Sequence, residues 1–312
     1  MTRRRIVIAE FMDDAAVATL HARHDTLYDP ELVDRAGDLM TAVATAEALI
    51  VRNRTQVDPA LLAAAPRLRV IGRLGVGLDN IDVAACAARG IEVIPATGAN
   101  ALAVAEYVIA TAMLLLRGAY ASSSDVAGGR WPRAPLSNGR EIAGKTLGIV
   151  GFGGIGRLTA GFARGLGMRV VAFDPEVTED AAAWAEAGAV RMSFDALLRE
   201  ADVVTLHVPL TAATRHLLGA KQLSAMKPDA VLINTARGGV LDEAALAAAL
   251  RARKLGGAAL DVFEREPLPA GSALADCPNL ILTPHVAGVT RESNVRVSTM
   301  IADRVAAFLA AH

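Results

Sequence analysis

Gly151-Phe152-Gly153-Gly154-Ile155-Gly156 is the stretch on which the fold turns. It follows a strand pattern, Leu147-Gly148-Ile149-Val150, and opens into a helical one. In a G-x-G-x-x-G at a strand-to-helix turn, Gly151 permits the tight turn, Gly153 lets a pyrophosphate approach the backbone, and Gly156 lets helix and strand pack closely. The free N–H groups of the helix start, around Ile155, then face the phosphates. Arg157 can reach the pyrophosphate, and reads equally as a solvated helix charge. Eighteen residues past Gly156, at the end of the strand pattern Val170-Val171-Ala172-Phe173, stands Asp174. An acid there accepts hydrogen bonds from ribose hydroxyls and repels a 2′-phosphate, so the expected cofactor is NAD rather than NADP.

Working outward, strand patterns at 146–150, 169–173, 203–208, 230–234, 258–262 and 280–283 alternate with helical segments, as a complete doubly wound dinucleotide fold requires. Upstream, strands at 6–8, 48–51, 68–71 and 91–94 alternate with alanine-rich helices in a second parallel sheet. A helix is predicted over 99–116, followed by a Ser-, Gly- and Pro-rich loop over 122–144 that carries Trp131. The last helical pattern, 291–311, cannot form a domain alone and is expected to pack back on the first one. The fold class is therefore α/β with two doubly wound parallel-sheet domains. A Rossmann NAD domain at 99–285 is inserted into a discontinuous, flavodoxin-like substrate domain at 1–98 and 286–312.

Composition agrees with this. A chain of 312 residues, 53% hydrophobic and 21% charged, can fill two cores and is not disordered. Thirty-two basic against 33 acidic side chains leave no global field for nucleic acid or an anionic membrane. The two cysteines, Cys86 and Cys277, lack a CxxC pattern, which argues against a disulfide frame or zinc cluster. Both read as small buried hydrophobes, and no metal is expected. The apolar run behind Thr2-Arg3-Arg4-Arg5 stops at Glu10, too soon for an export signal, and the greasiest stretch, 101–116, is interrupted by Glu106. A cytoplasmic location is expected.

Three segments after strands of the second domain carry the chemistry: Asn234-Thr235-Ala236-Arg237-Gly238-Gly239, Asp261-Val262-Phe263-Glu264-Arg265-Glu266-Pro267 and Thr283-Pro284-His285-Val286-Ala287-Gly288. Ligands of open α/β sheets bind at the carboxyl ends of the strands. Reducing a 2-oxo acid needs a cation for the carboxylate and carbonyl, and a proton donor for the forming alkoxide. Arg237 offers a planar fork, and His285 is the natural proton carrier, with Glu266 as its carboxylate partner. Singly, each also reads as a surface charge or loop residue.

With these motifs in place, the chain resembles the D-isomer-specific 2-hydroxyacid dehydrogenases, above all their phosphoglycerate dehydrogenase-like branch. The resemblance covers nearly the whole length. It includes Arg73-Leu74-Gly75-Val76-Gly77-Leu78-Asp79-Asn80-Ile81-Asp82, Asn100 with Val104-Ala105-Glu106, the glycine loop, Leu206-His207-Val208-Pro209-Leu210-Thr211 and the three segments above. It implies that Arg237, Glu266 and His285 are catalytic. It implies that the backbone at Val76 and Gly77 holds the substrate carboxylate, with Arg237 and His285 also on the substrate. Asn100, His207, Pro209, Thr214, Thr235, Ala236, Asp261 and Gly288 join the glycine loop and Asp174 around the cofactor. Without the resemblance, Gly75 and Gly77 read as a turn and Asn100 as a helix cap. Relatives often carry serine where Ala103 stands, so one minor cofactor contact is absent. His207 inside Leu206-His207-Val208-Pro209 reads as a residue lining the cofactor cleft rather than as an extra base.

Val51-Arg52-Asn53-Arg54-Thr55 resembles the Arg-x-Arg-Thr of phosphoglycerate dehydrogenases. Arg52 there suits a phosphate, sulfonate or second carboxylate on the substrate's third carbon, unless it merely pairs with an acid. The expected substrate is thus a small 2-hydroxyacid with an anionic or polar C3 group, 3-phosphoglycerate-like. The alternatives are sulfolactate, hydroxypyruvate or glyoxylate, and plain aliphatic 2-hydroxyacids. A formate or phosphite dehydrogenase and a non-catalytic NAD-sensing scaffold are the rival readings. The chain stops soon after its last helix, so neither a regulatory C-terminal domain nor control by serine is expected. The 101–116 helix with the Trp131 loop is the expected homodimer surface, and the resemblance places Arg133 where it reaches a neighbouring subunit's site.

Overall fold

The computed structural model describes residues 3–312, so Thr2 of the basic start lies outside the described residues. The chain divides into two compact units: one comprises the chain up to Asn100 together with Val289–His312, the other Ala101–Gly288.

The first unit holds a five-stranded parallel sheet of order β2-β1-β3-β4-β5, built from β1 (Arg5–Ile8), β2 (Asp25–Tyr28), β3 (Ala48–Val51), β4 (Val70–Arg73) and β5 (Glu92–Pro95). This is the flavodoxin-like order. Alternate side chains feed two cores, one on each face. Ile6, Ile8, Ala48, Ile50 and Val70 face one side, while Val7, Leu49, Val51 and Ile71 face the other. Strands buried on both faces must be apolar throughout, which is why they read as unbroken runs. The edge strand β2, Asp-Thr-Leu-Tyr, escaped the sequence reading because it is short, polar at its start and only partly buried. The terminal helix Arg291–Ala311 is capped by Thr290, whose hydroxyl accepts from the Ser293 N–H at 3.0 Å. As expected, it packs on the helix Asp14–Arg23 and on β4 and β5.

The second unit holds a seven-stranded parallel sheet of order β12-β11-β10-β9-β6-β7-β8. Its strands are β6 (Thr146–Val150), β7 (Arg169–Phe173), β8 (Val190–Arg191), β9 (Val203–Leu206), β10 (Val231–Asn234), β11 (Gly257–Leu260) and β12 (Leu280–Leu282). Six of the seven were anticipated. The extra one, β8, has two exposed residues and no apolar run to announce it. The order reverses between β6 and β9, and that switch point is where such sheets bind ligands. The helix Ala101–Arg117 spends most of its apolar face inside this unit, packed on Gly154–Gly165. On the expected dimer surface, the exposed large apolar side chains are Leu102, Met113 and the loop residues Tyr120, Val126 and Trp131. That loop is not structureless: it contains short helices at Ser123–Ala127 and Arg133–Leu136. Cys86 is buried, whereas Cys277 is partly exposed, contrary to expectation. Among the described residues no single helix is long and apolar enough to cross a membrane.

Candidate active site

The glycine loop leaves β6 at the switch point. Gly151 adopts φ +95°, and a Cβ there would stand 2.6 Å from the His207 carbonyl oxygen at the end of β9, so only glycine lets the two strand ends come this close. A Cβ at Gly156 would lie 2.4 Å from the Gly151 carbonyl oxygen, which fixes the helix against the turn. At Gly153 and Gly154, by contrast, nothing lies within 4 Å of that position. The two closed glycines build the turn, and the two open ones leave room above the helix start. Phe152 is fully buried and stacks on Trp184 at 4.6 Å, holding the loop down. Ile155 is half-buried, and Arg157 is exposed on the first turn. Asp174 accepts the Phe152 N–H at 2.7 Å and the Glu176 N–H at 2.9 Å, so its carboxylate stands beside the glycine loop. The Thr235 hydroxyl is buried without a partner among the described residues. A cradle open only at its middle glycines, an acid beside it and an orphaned hydroxyl fit a dinucleotide.

The other cofactor candidates have definite places. The His207 ring lies 3.1 Å from the Thr205 hydroxyl, and burial pushes its pKa down to about 4, so it is neutral near pH 7. The Thr214 hydroxyl donates to the Pro209 carbonyl at 2.6 Å, which ties its own turn rather than leaving the hydroxyl free. Ala236 is buried, and Gly288 closes the unit.

The turn carrying Arg237 is pinned by Asn234, whose amide donates to the Arg237 carbonyl at 3.0 Å while its oxygen accepts the Ala236 N–H at 3.0 Å. Arg237 donates to the Ala236 carbonyl at 2.7 Å. Next to it, a Cβ at Gly238 would fall 1.7 Å from the Phe263 carbonyl oxygen. Glycine at 238 is therefore what lets the Arg237 turn lie against the loop that carries Glu266. In the sequence only the Gly-Gly pair beside Arg237 marks this, such a pair being a signal of close backbone approach.

Glu266 is held by its own loop, accepting the Phe263 N–H at 3.1 Å through Oε1. Its Oε2 lies 2.8 Å from His285 Nδ1. A carboxylate only accepts, so Nδ1 carries the proton in this bond and Nε2 is left for other work. His285 has φ +56°, a left-handed conformation that costs a non-glycine residue about 1 kcal/mol. Asp261 sustains it. This carboxylate is buried at the end of β11 and accepts from the Thr283 hydroxyl at 2.6 Å, the Val286 N–H at 2.8 Å and the Ala287 N–H at 2.8 Å. Because Thr283 donates to Asp261, it accepts from Tyr107, 2.7 Å away, whose phenol burial keeps protonated. Asp261, expected near the substrate or the nicotinamide, is thus the anchor of the His285 loop.

In the first unit, Glu10 follows β1 and is buried. Its carboxylate accepts the N–H groups of Arg52 at 2.8 Å, Thr55 at 3.0 Å and Arg54 at 3.1 Å. From the other side, the Asn80 amide donates to the Thr55 carbonyl at 2.7 Å and the Arg52 carbonyl at 3.3 Å. The 52–55 loop is therefore clamped on both its donors and its acceptors. Among the described residues Arg52 pairs with no acid: its guanidinium donates to Asn294 Oδ1 at 2.8 Å and lies 5.8 Å from the Phe11 ring centroid. Burial lowers its pKa, and the Glu10 charge offsets this only in part. Arg54 is tied to Asp34 at the surface. Val76 is exposed and Gly77 half-exposed in the loop after β4. A Cβ at Gly75 would meet the Arg73 guanidinium at 1.5 Å. The Asn100 side-chain oxygen is buried and accepts from no described residue, so it does not cap the helix behind it.

A doubly wound sheet with this glycine cradle and a His–carboxylate pair beyond its strand ends defines a nicotinamide-dependent dehydrogenase. A sequence model of the D-isomer specific 2-hydroxyacid dehydrogenase NAD binding domain matches residues 109–287. The chain is 55% identical over 301 residues to (S)-sulfolactate dehydrogenase of Chromohalobacter salexigens, covering 96% of each. It is 40% identical over 268 residues to D-3-phosphoglycerate dehydrogenase of Archaeoglobus fulgidus, covering 86% of this chain but only 50% of that relative. The chain thus spans about half the length of such phosphoglycerate dehydrogenases. A glyoxylate reductase structure from Paecilomyes thermophila superimposes with a TM-score of 0.86 at 30% identity, over 98% of this chain and 95% of that one. The chain belongs to the D-isomer specific 2-hydroxyacid dehydrogenase family, and it is an NAD-dependent oxidoreductase.

Proposed function

We propose that the chain interconverts a 2-hydroxyacid bearing an anionic C3 group and its 2-oxoacid, with (S)-sulfolactate as the foremost substrate and 3-phosphoglycerate as the runner-up. The observation that carries this reading is Arg52: partly buried, on a clamped loop, and held by a neutral amide rather than a carboxylate. An acid partner would cancel its charge, whereas Asn294 leaves it for a ligand. The similarity to a sulfolactate dehydrogenase over 96% of both chains favours the sulfonate. The S descriptor is compatible with a D-isomer family. Sulfur at C3 outranks the carboxylate, so (S)-sulfolactate has the spatial arrangement of a D-2-hydroxyacid.

In this reading, the backbone at Val76 and Gly77 binds the substrate carboxylate, and Arg237 holds the carboxylate and the C2 oxygen. His285 Nε2 takes the hydroxyl proton during oxidation and returns it during reduction, while Glu266 orients the ring through Nδ1 and stabilises its charged form. Gly151, Gly153, Ile155, Gly156, Arg157 and Asp174 hold the dinucleotide together with Asn100, His207, Pro209, Thr214, Thr235, Ala236, Asp261 and Gly288. When bound, the nicotinamide accepts or supplies the hydride at C2. Arg237 donates hydrogen bonds to the C2 oxygen as charge develops there, which is where a cation contributes most to rate.

Steady-state kinetics with NAD across sulfolactate, 3-phosphoglycerate, glycerate and lactate tests the proposal. Sulfolactate should show the highest kcat/KM, and Arg52→Lys should raise its KM roughly tenfold by removing the bidentate fork. Equal turnover of lactate and sulfolactate by the unaltered protein would refute the C3-anion reading.

A further inference from the structure

We infer that Asn294, in the first turn of the helix Arg291–Ala311, is a specificity-determining residue. With Arg52 it forms a subsite for a singly charged tetrahedral anion, a sulfonate in preference to a phosphate dianion. The inference rests on the proposed C3-anion reading and adds to it a residue and a charge rule.

Arginine has donors only, so its 2.8 Å contact with Asn294 orients the amide: the oxygen faces Arg52, and the NH2 group faces elsewhere. That NH2 has no acceptor among the described residues. It therefore offers N–H donors beside the guanidinium, which suits the several acceptor oxygens of a tetrahedral anion. The Phe11 ring lies 5.8 Å from the guanidinium carbon, restricting its movement. The Arg52 fork is thus aimed by the clamped 52–55 loop, by an amide and by a ring, without an opposing charge on its donors.

The charge balance limits what this subsite accepts. Glu10 is buried under the same loop, and its negative charge acts on Arg52. The second guanidinium of the motif, Arg54, is occupied by Asp34. One cation backed by one buried carboxylate suits a sulfonate, which carries a single charge at every ordinary pH. A phosphate monoester carries roughly −1.5 to −2 near pH 7 and leaves its second charge uncompensated.

The test compares Asn294→Asp and Asn294→Ala with the unaltered protein. An acid in the first turn of a helix is favourable, so the Asp variant should fold. It would pair with Arg52 and repel the anion. The expected result is a KM for sulfolactate raised at least tenfold in Asn294→Asp and severalfold in Asn294→Ala, with kcat and the KM for lactate within twofold. The unaltered protein should prefer sulfolactate to 3-phosphoglycerate at least tenfold in kcat/KM. Equal shifts for lactate and sulfolactate, or no shift, overturn the role of Asn294, and a preference for 3-phosphoglycerate overturns the charge rule. Calorimetric binding of 3-sulfopropionate, which has no hydroxyl to oxidise, separates this from a failure of the substrate reading. Binding weakened at least tenfold by Asn294→Asp supports the subsite even if sulfolactate is not turned over, and unchanged binding overturns it.

Discussion

Replacing Asp261 by Asn should cripple the enzyme through a residue that need not touch the substrate. Asp261 is 1% exposed and accepts three hydrogen bonds, two of them from the N–H groups that follow His285. An amide keeps one acceptor oxygen and turns a second donor toward either Ala287 N–H or the Thr283 and Val286 donors. At least one buried N–H then loses its partner, costing about 1–3 kcal/mol, and the surviving bonds lose their charge assistance, roughly 1 kcal/mol more. The sum, about 2–4 kcal/mol, exceeds the ~1 kcal/mol needed to hold His285 left-handed, so the loop should relax. Moving the imidazole by about an ångström costs turnover on the order of a hundredfold. Urea unfolding measures the first quantity and single-turnover oxidation the second. The route is checked by a double-mutant cycle with His285→Asn, a residue type that tolerates the left-handed region. His285→Asn alone should lower turnover roughly 10²–10⁴-fold with little loss of stability. If Asp261 acts by placing His285, adding Asp261→Asn should cost almost nothing further in turnover. Multiplying losses, or Asp261→Asn turnover within twofold of the unaltered protein, would refute the reasoning.

Other consequences are equally open to measurement. Asp174→Asn keeps an acceptor for the glycine loop but removes the charge proposed to face the adenosine ribose, so the kcat/KM ratio of NADP to NAD should rise about tenfold or more; an unchanged ratio would remove Asp174 from cofactor choice. His207 is lowered from 6.5 to about 4, so below pH 6.5 the unfolded chain binds the extra proton, and stability is lost as pH falls from 6.5 toward 4. At pH 5 the loss is about 2 kcal/mol, and His207→Asn should abolish that part of the acid sensitivity seen in urea titrations at pH 5 and 7.5. Trp131 is 77% exposed on the loop expected to pair two copies; Trp131→Ser should shift sedimentation toward monomer, and an unaltered protein that sediments as a monomer at micromolar concentration would contradict that expectation.

Much of the fold could be read because both sheets are parallel. Their inner strands, such as Ala48–Val51 and Val231–Asn234, are buried on both faces and so appear as short apolar runs. The strands that escaped, Asp25–Tyr28 and Val190–Arg191, lie at sheet edges, where one side needs no apolar partner. The catalytic candidates were legible for a related reason. Arg237, Glu266 and His285 each follow a strand, and chain order alone puts strand ends of a parallel sheet on one side. The bond between His285 and Glu266 spans 19 residues of sequence, yet the topology brings β11 and β12 together as neighbours.

What stayed hidden are the polar pins. Glu10 serves backbone groups 42 to 45 residues away, and Asp261 serves the loop 25 and 26 residues on. In sequence each is merely an acid at the end of an apolar strand, because the donors it satisfies are backbone N–H groups, which every residue type except proline carries and which leave no mark on composition. Yet that position itself is informative: a carboxylate at the mouth of a buried strand is expensive to bury unless several donors converge on it. Glu10 and Asp261 stand in equivalent places in the two units, each just beyond the carboxyl end of a strand. Each fixes a loop that carries a charged candidate, Arg52 in one case and His285 in the other. Rigid placement of these groups is therefore achieved by buried acids taking up backbone donors, and a charge that interrupts an apolar strand pattern at its carboxyl end is the signal by which such anchors can be sought.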